Sequence, residues 1–571
     1  MSSLEKLVAV AMGRDRADLL LKEARVVNVF TGEVIQTNVV IVEDTIAGVG
    51  DEYVEAQEIV DLQGQHLAPG LIDAHIHVES SMLTPAAFAR AALLDGTTTV
   101  ICDPHEIVNV AGLAGLEYMA RAAAKTPLDF QIMIPSCIPA TFLETTGAAW
   151  DADATWEAFK RIPTSPGLAE MMNYPGVLEA DPGVLARLNI ARGTDRLVDG
   201  HAPLLKGPAL NAYAAVGIGT DHEATTPQEA LERIRLGVKV IIREGSAAQD
   251  LDSILPVVNR DNKSEFMFGC DDLHPGHLLG EGEITPILRK AAAAGLDPVT
   301  AIQLATINPA RHYRLKARGA VAPGYRADLV VFHDLKDFKV MEVYKNGERV
   351  VKDGSLLKTF ETHRDHRLER SVILPDLQGV FSINPPGPAA FANVIAVKPG
   401  TIITGWEQVS AGDCTREHDI LRVAVLERYG KGGSVGLGLV RGFGLQRGAL
   451  ASTVAHDSHN LVVVGAEERS METAARHLAK IGGGIVVAEE ARVVAELPLP
   501  VGGIMSYDDA AAVAGQHSRL QERATRLGCR LPAPFMQMSF LTLAVIPALK
   551  ITDKGLIDVQ RTCRVPLWQR S

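Results

Sequence analysis

The sequence lacks the features that mark membrane, secreted or nucleic-acid-binding proteins. Its 571 residues include no apolar run near the ~18 residues that cross a bilayer. The six cysteines are scattered without a C-x-x-C pair, which argues against a disulfide framework or a structural zinc finger. The first residues are partly acidic and lack the apolar core of a signal peptide. A formal net charge of -13 disfavours a protein that binds the phosphate backbone of nucleic acids. We therefore expect an acidic cytoplasmic protein that binds neither nucleic acid nor membranes.

Two short β-rich segments, far apart in the chain, are both too small to stand alone. In the first, "ARVVNVF" and "TNVVIVED" are separated by turn residues, as in the hairpins of an antiparallel sheet. In the second, "KVMEVYKNGERVVKDG" contains Asn-Gly, a strong hairpin signal. Because neither segment supplies enough strands for a stable sheet, we predict that residues 1–70 and 318–375 join in one composite β-sandwich.

The segment between them alternates strand-like and helix-like stretches. Apolar runs that end in polar residues recur eight times: "GLIDAHIH", "TTTVICDPH", "DFQIMIPSC", "GLAEMMN", "RLVDGHAP", "VGIGTDHE", "VKVIIREGS" and "SEFMFGCDD". Eight strand–helix units in this length match the ~250 residues of a (β/α)8 barrel. We predict an α/β fold with this barrel at residues 71–317 and an additional α+β domain at residues 376–571.

Metal-binding side chains recur where the predicted strands end. In "LIDAHIHVES", residues two apart in a strand point to the same side, so the two imidazoles converge. Later strand ends add a glutamate, two histidines and an aspartate, and in a barrel all these ends share the catalytic face. Each residue alone has an ordinary structural explanation, but together they predict a metal site formed by His75, His77, Glu170, His201, His222 and Asp271.

Three other groups have more than one possible role. Glu79 would either contact the substrate or orient His77. His105 and Glu106, after the second strand, are candidates for substrate contact or proton relay. The C-terminal "HDSH" at residues 456–459 looks like a metal motif, but with no barrel around it we expect a structural or lid role.

The adjacent carboxylates Asp271 and Asp272 are expected to point to opposite faces of the sheet, because side chains alternate along a strand. Asp271 shares its parity with Gly269, which leaves room inside the barrel. Asp272 shares its parity with two phenylalanines that we expect to pack outward. We therefore predict that Asp271 is the inward metal ligand, whereas Asp272 orients a loop or contacts the substrate.

This set of residues resembles the amidohydrolase superfamily, whose members carry H-x-H on strand one, histidines on strands five and six, and aspartate on strand eight. Most two-metal members also use a carboxylated lysine on strand four, whereas "GLAEMMNYPGV" offers Glu170 and no lysine. The motifs "GLIDAHIHVESSMLTP", "CDPHEIVNV", "DGHAP" and "CDDLHP", with the C-terminal "VAHDSHNLVVVG" and "LPLPVGGIMS", are similar to the bacterial adenine deaminase family over nearly the whole chain.

The resemblance implies hydrolytic deamination of adenine to hypoxanthine and ammonia with two divalent ions. His75, His77 and Asp271 would hold one ion and His201 with His222 the other, with Glu170 between them. Such mixed ligands suit Mn²⁺, Fe²⁺ or Zn²⁺, and the family's use of manganese or iron favours the first two. The ions would acidify a bound water for attack on C6, and Asp271 would shuttle the proton.

Two other functions stay open. A cyclic-amide hydrolase of the dihydroorotase or allantoinase kind fits the fold, although the lysine-free fourth strand disfavours it. A metal-free scaffold protein is expected to have lost ligands, whereas every ligand position is filled here. The P-C-x-x-C element of the zinc deaminases that act on nucleic acids is absent. The expected partners are adenine and a second copy of the chain in a homodimer.

Overall fold

A computed structural model describes residues 3–246, 248–387, 389–399 and 401–570 of the chain. Before the central segment lie α1 (Leu4–Ala11), β1 (Ala17–Asn28), β2 (Glu33–Val42), β3 (Thr45–Val49), β4 (Ala56–Asp61) and β5 (His66–Pro69). After it lie β15 (Leu329–Phe332), β16 (Val340–Lys345), β17 (Glu348–Lys352) and β18 (Ser355–Leu356).

The central segment alternates strands and helices. Its elements are β6 (Leu71–His77), α2 (Pro85–Leu94), β7 (Thr97–Cys102), α3 (His105–Ala123), β8 (Asp129–Ile132), α4 (Ala152–Arg161), β9 (Gly167–Met171), α5 (Tyr174–Leu178), α6 (Pro182–Gly193), β10 (Leu197–Gly200), α7 (Gly207–Ala215), β11 (Thr220–Asp221), α8 (Pro227–Arg235), β12 (Lys239–Arg243), α9 (Leu251–Ile254), β13 (Phe266–Gly269), β14 (Asp271–Asp272), α10 (Pro275–Gly280), α11 (Thr285–Ala293), α12 (Pro298–Leu304) and α13 (Ile307–His312).

The C-terminal segment is mostly β-structure with three helices. Its elements are β19 (Ala390–Ala396), β20 (Gly405–Ser410), β21 (Ile420–Leu426), β22 (Val435–Arg441), β23 (Ala449–Ser452), β24 (Leu461–Gly465), α14 (Glu468–Ile481), β25 (Gly484–Glu489), β26 (Arg492–Pro498), α15 (Ala510–Arg526), α16 (Pro534–Leu541), β27 (Leu549–Thr552), β28 (Gly555–Asp558), β29 (Cys563–Val565) and β30 (Trp568–Arg570). Short 3-10 helices lie at Val78–Ser81, Leu255–Val257, Lys263–Glu265, His366–Leu368, Ala411–Asp413 and Arg416–His418.

The two distant β-rich segments join through β5. This strand runs parallel to β1 on one side, with Val26 opposite Leu67, and antiparallel to β15 on the other, with Leu329 opposite Pro69. The result is one hydrogen-bonded set of nine strands drawn from both segments, and the composite β-sandwich stays a prediction. The sheet is also mixed, because β4 and β5 both run parallel to β1. One apolar cluster, which includes Leu21, Val26, Leu67, Leu329 and Val331, draws on both segments.

The central strands pair in parallel and in chain order. Ladders join β6 to β7 and β8, β9 to β10, and β11 to β12 and β13. A bridge between Ile134 and Leu168 connects the first group to the second. The N–H of Gly219 donates to the carbonyl of Val198 at 2.9 Å and connects the second group to the third. After Cys270 the chain continues as β14, which pairs with β6. The pairing path therefore returns to the strand on which it began, in a mixed α/β fold.

Side chains on opposite sides of these strands pack into different clusters. Met267 lies with residues of other central strands in a small buried cluster formed by Ala74, Ile101, Met133, Ala169, Ile241 and Tyr313. Phe266 and Phe268 point the other way, into the large cluster that includes the surrounding helices. Strands that are apolar on both faces are typical of parallel sheets covered by helices.

The C-terminal segment packs over the polar ends of the central strands. Its nine-stranded sheet follows the order β20-β19-β22-β21-β24-β23-β25-β26, with β30 beside β19. Helix α14 covers this sheet through Met471, Ala475 and Leu478, and α15 packs against α10 of the central segment. The boundaries expected at residues 70/71, 317/318 and 375/376 stay predictions.

Candidate metal centre and active site

The carboxylate of Glu170 lies at the centre of the site, on β9. Its Oε1 is 3.3 Å from Nε2 of His77 and 3.5 Å from Nδ1 of His105. Its Oε2 is 2.9 Å from Nδ1 of His201 and 3.1 Å from Nε2 of His222. These residues come from five separate strand ends, so the parallel register brings them to one edge. Each oxygen of the carboxylate therefore faces a different set of imidazoles.

Asp271 lies beside the two histidines of β6. Its Oδ1 is 3.4 Å from Nε2 of His75 and 3.1 Å from Nε2 of His77. Asp272 instead accepts a hydrogen bond from the hydroxyl of Ser80. The chain breaks its extended conformation between β13 and β14, since Asp271 has a φ of 61°. The two carboxylates thus point to different places, although the alternation of side chains does not run unbroken to the strand end.

Two buried atoms in this group have no hydrogen-bond partner among the described residues. They are Nε2 of His75 and Oε2 of Glu170, whose close contacts with Asp271 and with His201 and His222 lack hydrogen-bond geometry. Buried polar atoms are normally paired, and here the ring nitrogens of His201 and His222 also approach one another at 3.3 Å. Unpaired nitrogen and carboxylate donors that converge in a buried place fit divalent cations such as Mn²⁺, Fe²⁺ or Zn²⁺.

Contacts behind the site fix the orientation of these donors. Nδ1 of His77 lies 3.0 Å from the carbonyl oxygen of Asp103, which leaves Nε2 to face the carboxylates. The Asp103 carboxylate lies 3.1 Å from Nδ1 of His105. Asp73 accepts the N–H groups of His75 and Cys270 at 3.0 and 3.2 Å and so ties β6 to the last central strand.

The charges at the site favour ionised carboxylates. Burial alone would raise the pKa of Glu170, but His201 and His222 outweigh it and hold this pKa well below its usual value. Asp271 behaves in the same way, because His75 and His77 outweigh the effect of burial and lower its pKa. Burial opposes protonation of His222, yet Glu170 raises the pKa of this imidazole to about 9. Both carboxylates are therefore ready to bind cations.

The C-terminal segment reaches the site through the "HDSH" stretch. Nδ1 of His456 lies 2.5 Å from Oε1 of Glu106, and Nε2 of His459 contacts Oε2 of the same carboxylate. Burial would raise the pKa of Glu106, but the two histidines lower it well below its usual value. Burial lowers the pKa of His459, in agreement with a neutral ring whose Nδ1 accepts the N–H of Ala455 at 3.1 Å.

A cavity lies between the metal-ligand candidates and the C-terminal segment. From the central segment its lining includes His77, His105, Glu106, Glu170, His201, His222, Asp271 and Asp272. The C-terminal segment supplies Ile402, His456, Asp457, Phe540, Leu543 and Ile546. Both segments therefore form the walls of the same small space.

Known proteins match the chain along its whole length. The amidohydrolase family matches residues 66–356, and the adenine deaminase C-terminal domain matches residues 402–563. The adenine deaminase of Desulfatibacillum aliphaticivorans is 44% identical over 565 residues, which cover 97% of this chain and 98% of that protein. The adenine deaminase of Methanothrix thermoacetophila is 44% identical over 574 residues, with 99% of each chain covered. This chain belongs to the adenine deaminase family.

Solved structures also resemble the chain over part of its length. An adenosine deaminase from Xanthomonas campestris with bound zinc has a TM-score of 0.47 and 16% identity, and the match covers 60% of this chain and 95% of that one. N-isopropylammelide isopropylaminohydrolase from Burkholderia multivorans has a TM-score of 0.45 and 19% identity, with 60% and 100% covered. Amidohydrolases depend on metals, and this member of the adenine deaminase family has groups of residues that could hold them. No helix in the described part of the chain is long and apolar enough to cross a membrane.

Two charged residues at the site of this adenine deaminase family member were not predicted from the sequence. Oε1 of Glu223 lies 3.6 Å from a ring nitrogen of both His201 and His222. Arg243 is ion-paired with Glu223 and lies 3.2 Å from Oδ2 of Asp271, so one guanidinium holds both carboxylates. A signal existed, because each residue is charged and lies at the end of a central strand, in "TDHE" and "VIIREGS".

Of the residues with open roles, Glu79 is not among those that line the cavity. Its Oε1 accepts the N–H of Ile107 at 3.2 Å, and burial raises its pKa to about 7. His105 and Glu106 line the cavity, and Nε2 of His105 is 3.5 Å from Oε1 of Glu106. Asp272 lines it as well.

Proposed function

We propose that this chain is a (β/α)8-barrel enzyme that hydrolyses adenine to hypoxanthine and ammonia with two divalent metal ions. One observation carries the proposal. One oxygen of the Glu170 carboxylate faces His77, and the other faces His201 and His222. This arrangement occurs in a chain that belongs to the adenine deaminase family. The path of strand pairing that returns to β6 supports the barrel.

These contacts support the ligand sets that the family resemblance implies. His75, His77 and Asp271 would hold one ion, His201 and His222 the other, and Glu170 would bind both. Mn²⁺ or Fe²⁺ is the preferred metal and Zn²⁺ is possible, since all three accept mixed imidazole and carboxylate ligands. When bound, the ions would supply an acidified water near neutral pH.

Asp271 is proposed as the group that moves the proton. Its Oδ1 faces the two histidines of β6, and its Oδ2 is held by Arg243 at 3.2 Å. A carboxylate fixed at both oxygens can accept a proton from the attacking water and return it to the purine as the amino group leaves. Water and adenine then give hypoxanthine and ammonia, with no proton left over.

The lysine-free fourth strand weighs against the cyclic-amide hydrolase alternative. Glu170 supplies a bridging carboxylate directly, so no carboxylated lysine is required. A cytoplasmic location and a homodimer stay predictions, supported by composition and by no contact described above.

The test is ammonia release from adenine by Mn²⁺-loaded protein, with metal content measured on the same sample. Dihydroorotate and allantoin are assayed in parallel, and Glu170→Gln serves as the matched inactive variant. Hydrolysis of adenine that disappears in Glu170→Gln is expected. Ring opening of a cyclic amide, with adenine untouched, would contradict the proposal.

A further inference from the structure

The C-terminal segment places one carboxylate in the cavity that the proposed chemistry does not use. Asp457 is only 3% exposed, and its Oδ2 makes no hydrogen bond to any described residue. It lines the cavity together with Glu170, His201 and Asp271. An unpaired buried carboxylate oxygen is costly, so its position in a cavity indicates that a bound molecule supplies the missing donor.

The position of Asp457 is fixed by its neighbours in the "HDSH" stretch. His456 and His459 both donate to Glu106 at the start of α3. The N–H of His456 donates to the carbonyl of Ser539 at 3.0 Å, and its carbonyl accepts the hydroxyl of Thr542 at 2.9 Å. Asp457 is therefore held rigidly before any ligand arrives, which reduces the entropy cost of binding.

Glu106, His456 and His459 could together hold an ion, but their contacts are closer to hydrogen bonds than to the spacing of two ligands on one metal. Two ligands of one tetrahedral ion, each at about 2.1 Å, lie roughly 3.4 Å apart. Nδ1 of His456 and Oε1 of Glu106 are separated by 2.5 Å, which is a hydrogen-bond distance. The donors around Glu170, in contrast, lie 2.9 to 3.5 Å from its oxygens.

Asp457 and the metal-ligand candidates line the same cavity. His105 is part of the same cavity wall, with Nδ1 3.5 Å from Glu170 and Nε2 3.5 Å from Glu106. One donor atom each of His105, Glu106 and Asp457 lie within 4.8 Å of one another. A flat molecule with its reacting carbon at the metal side would bring its far edge to Asp457.

The remaining walls suit the faces of such a molecule. Met172, Ile402, Phe540, Leu543 and Ile546 line the same cavity. Apolar and aromatic walls with a few fixed polar groups are typical of small-molecule sites. The apolar walls would cover the ring faces, and the polar groups would bind its edges.

We propose that Asp457 accepts the imidazole-ring N–H of a free purine base and so selects the base over its nucleoside. This inference rests on the proposed function. An ionised carboxylate only accepts hydrogen bonds. Adenine offers it two kinds of donor, the amino group that must leave at the metal side and the N–H of the imidazole ring. In a nucleoside the sugar replaces that ring hydrogen, and Asp457 would be left unpaired.

The experiment compares adenine with 7-methyladenine and 9-methyladenine, in both of which a methyl group replaces the single N–H of the imidazole ring. We measure kcat/KM for the protein and for Asp457→Ala and Asp457→Asn, with metal content determined for each sample. Asp376→Asn, an exposed aspartate of the C-terminal segment, is the matched control. The unchanged protein is expected to prefer adenine over both methylated bases by about 10- to 100-fold, which corresponds to the free energy of a hydrogen bond to a charged group.

In Asp457→Ala this preference is expected to fall toward one, mainly through KM, while the metals remain bound. Binding of hypoxanthine, measured by calorimetry, should weaken by a similar factor and gives a readout that does not depend on turnover. If Asp457→Ala does not fold, Asp457→Asn keeps the shape and is expected to lose part of the preference.

Three outcomes would overturn the inference. Preference and hypoxanthine binding that are unchanged in both variants would mean that Asp457 has only a structural role. A uniform loss of kcat for all three bases would make it a proton donor. Loss of metal would make it part of the metal centre. Failure of the unchanged protein to release ammonia from adenine would instead refute the proposed function, so the two failures are distinguishable.

Discussion

Replacing Glu170 by glutamine keeps the shape of the side chain and removes its charge. This buried carboxylate faces His77 through one oxygen and His201 with His222 through the other. If it bridges two ions, the substitution removes an anionic ligand from both. Loss of groups that merely orient ligands costs 10- to 100-fold in metal affinity, so loss of a shared ligand is expected to cost at least about 100-fold.

The expected effect on stability follows from mass action. At a metal concentration about 100 times Kd, one bound ion stabilises the folded chain by about 2.7 kcal/mol. A 100-fold weaker site loses most of this, and two sites together lose about 5 kcal/mol. Glu170→Gln is therefore expected to melt several degrees below the unchanged protein in the presence of Mn²⁺, and to lose metal and activity together.

The assay is a thermal melt with and without a chelator, combined with elemental analysis. Chelation should lower the Tm of the unchanged protein to that of Glu170→Gln and have little effect on the variant itself. Glu179→Gln, an exposed glutamate after α5, is the matched control and should keep the chelator response. Full metal content and a chelator-sensitive Tm in Glu170→Gln would refute the bridging role. Recovery with bicarbonate in Glu170→Ala would reveal a carboxylated lysine instead.

Three further results are expected. Asp271→Asn should lower kcat by roughly 10²- to 10⁴-fold in steady-state assays at matched metal occupancy, whereas Asp272→Asn should mainly raise KM. His456→Ala and His459→Ala should each retain two metal ions per chain by elemental analysis, even where activity falls. Burial lowers the pKa of Lys550 to about 7 from its ordinary 10.5, so the folded chain binds fewer protons than the unfolded chain between these values. Its stability should then rise with pH across this window by up to about 1.4 kcal/mol per unit relative to Lys550→Met, as measured by denaturant unfolding.

For each of these three predictions, one result would contradict the reasoning. Abolished turnover in Asp272→Asn, with Asp271→Asn active, would reverse the roles of the two carboxylates. Loss of one ion in either histidine variant would make the C-terminal segment a source of metal ligands. Parallel stability profiles for Lys550→Met and the unchanged protein from pH 7 to 10.5 would mean that the buried amine keeps its ordinary pKa.

The site residues that could be predicted from the sequence are those that follow from the local spacing of polar and apolar residues. His75 and His77 are two residues apart in one strand, and the other ligand candidates each end a recognisable apolar run. Parallel strands bring such ends to one edge without further information. The placement of Asp271 beside His75 followed from alternation, although its positive φ shows that the strand end departs from regular geometry.

The parts that sequence could not predict depend on contacts between distant segments. Nothing local indicates that Arg243 pairs with both Glu223 and Asp271, since the pairing requires three different strand ends to meet. The strands within each β-rich segment were predictable from their local pattern. The joining of the two segments was not, because it depends on the position of β5 between β1 and β15. These features depend on packing between distant parts of the chain. The hydrophobic periodicity of the sequence carries no information about such packing.

The contact between Glu106 and the "HDSH" stretch links the two large segments through charge. Glu106 is separated from His456 by 350 residues, and both are buried. If the C-terminal segment moved away, Glu106 would lose the His456 imidazole that compensates its charge and the hydrogen bond from His459, and breaking one side of a buried ion pair typically costs about 3–5 kcal/mol. The contacts of Glu170 with its four histidines involve only residues between 71 and 317 and would remain. The C-terminal segment is therefore expected to govern binding of the base more than retention of the metals, because its contribution to the site is the wall that carries Asp457.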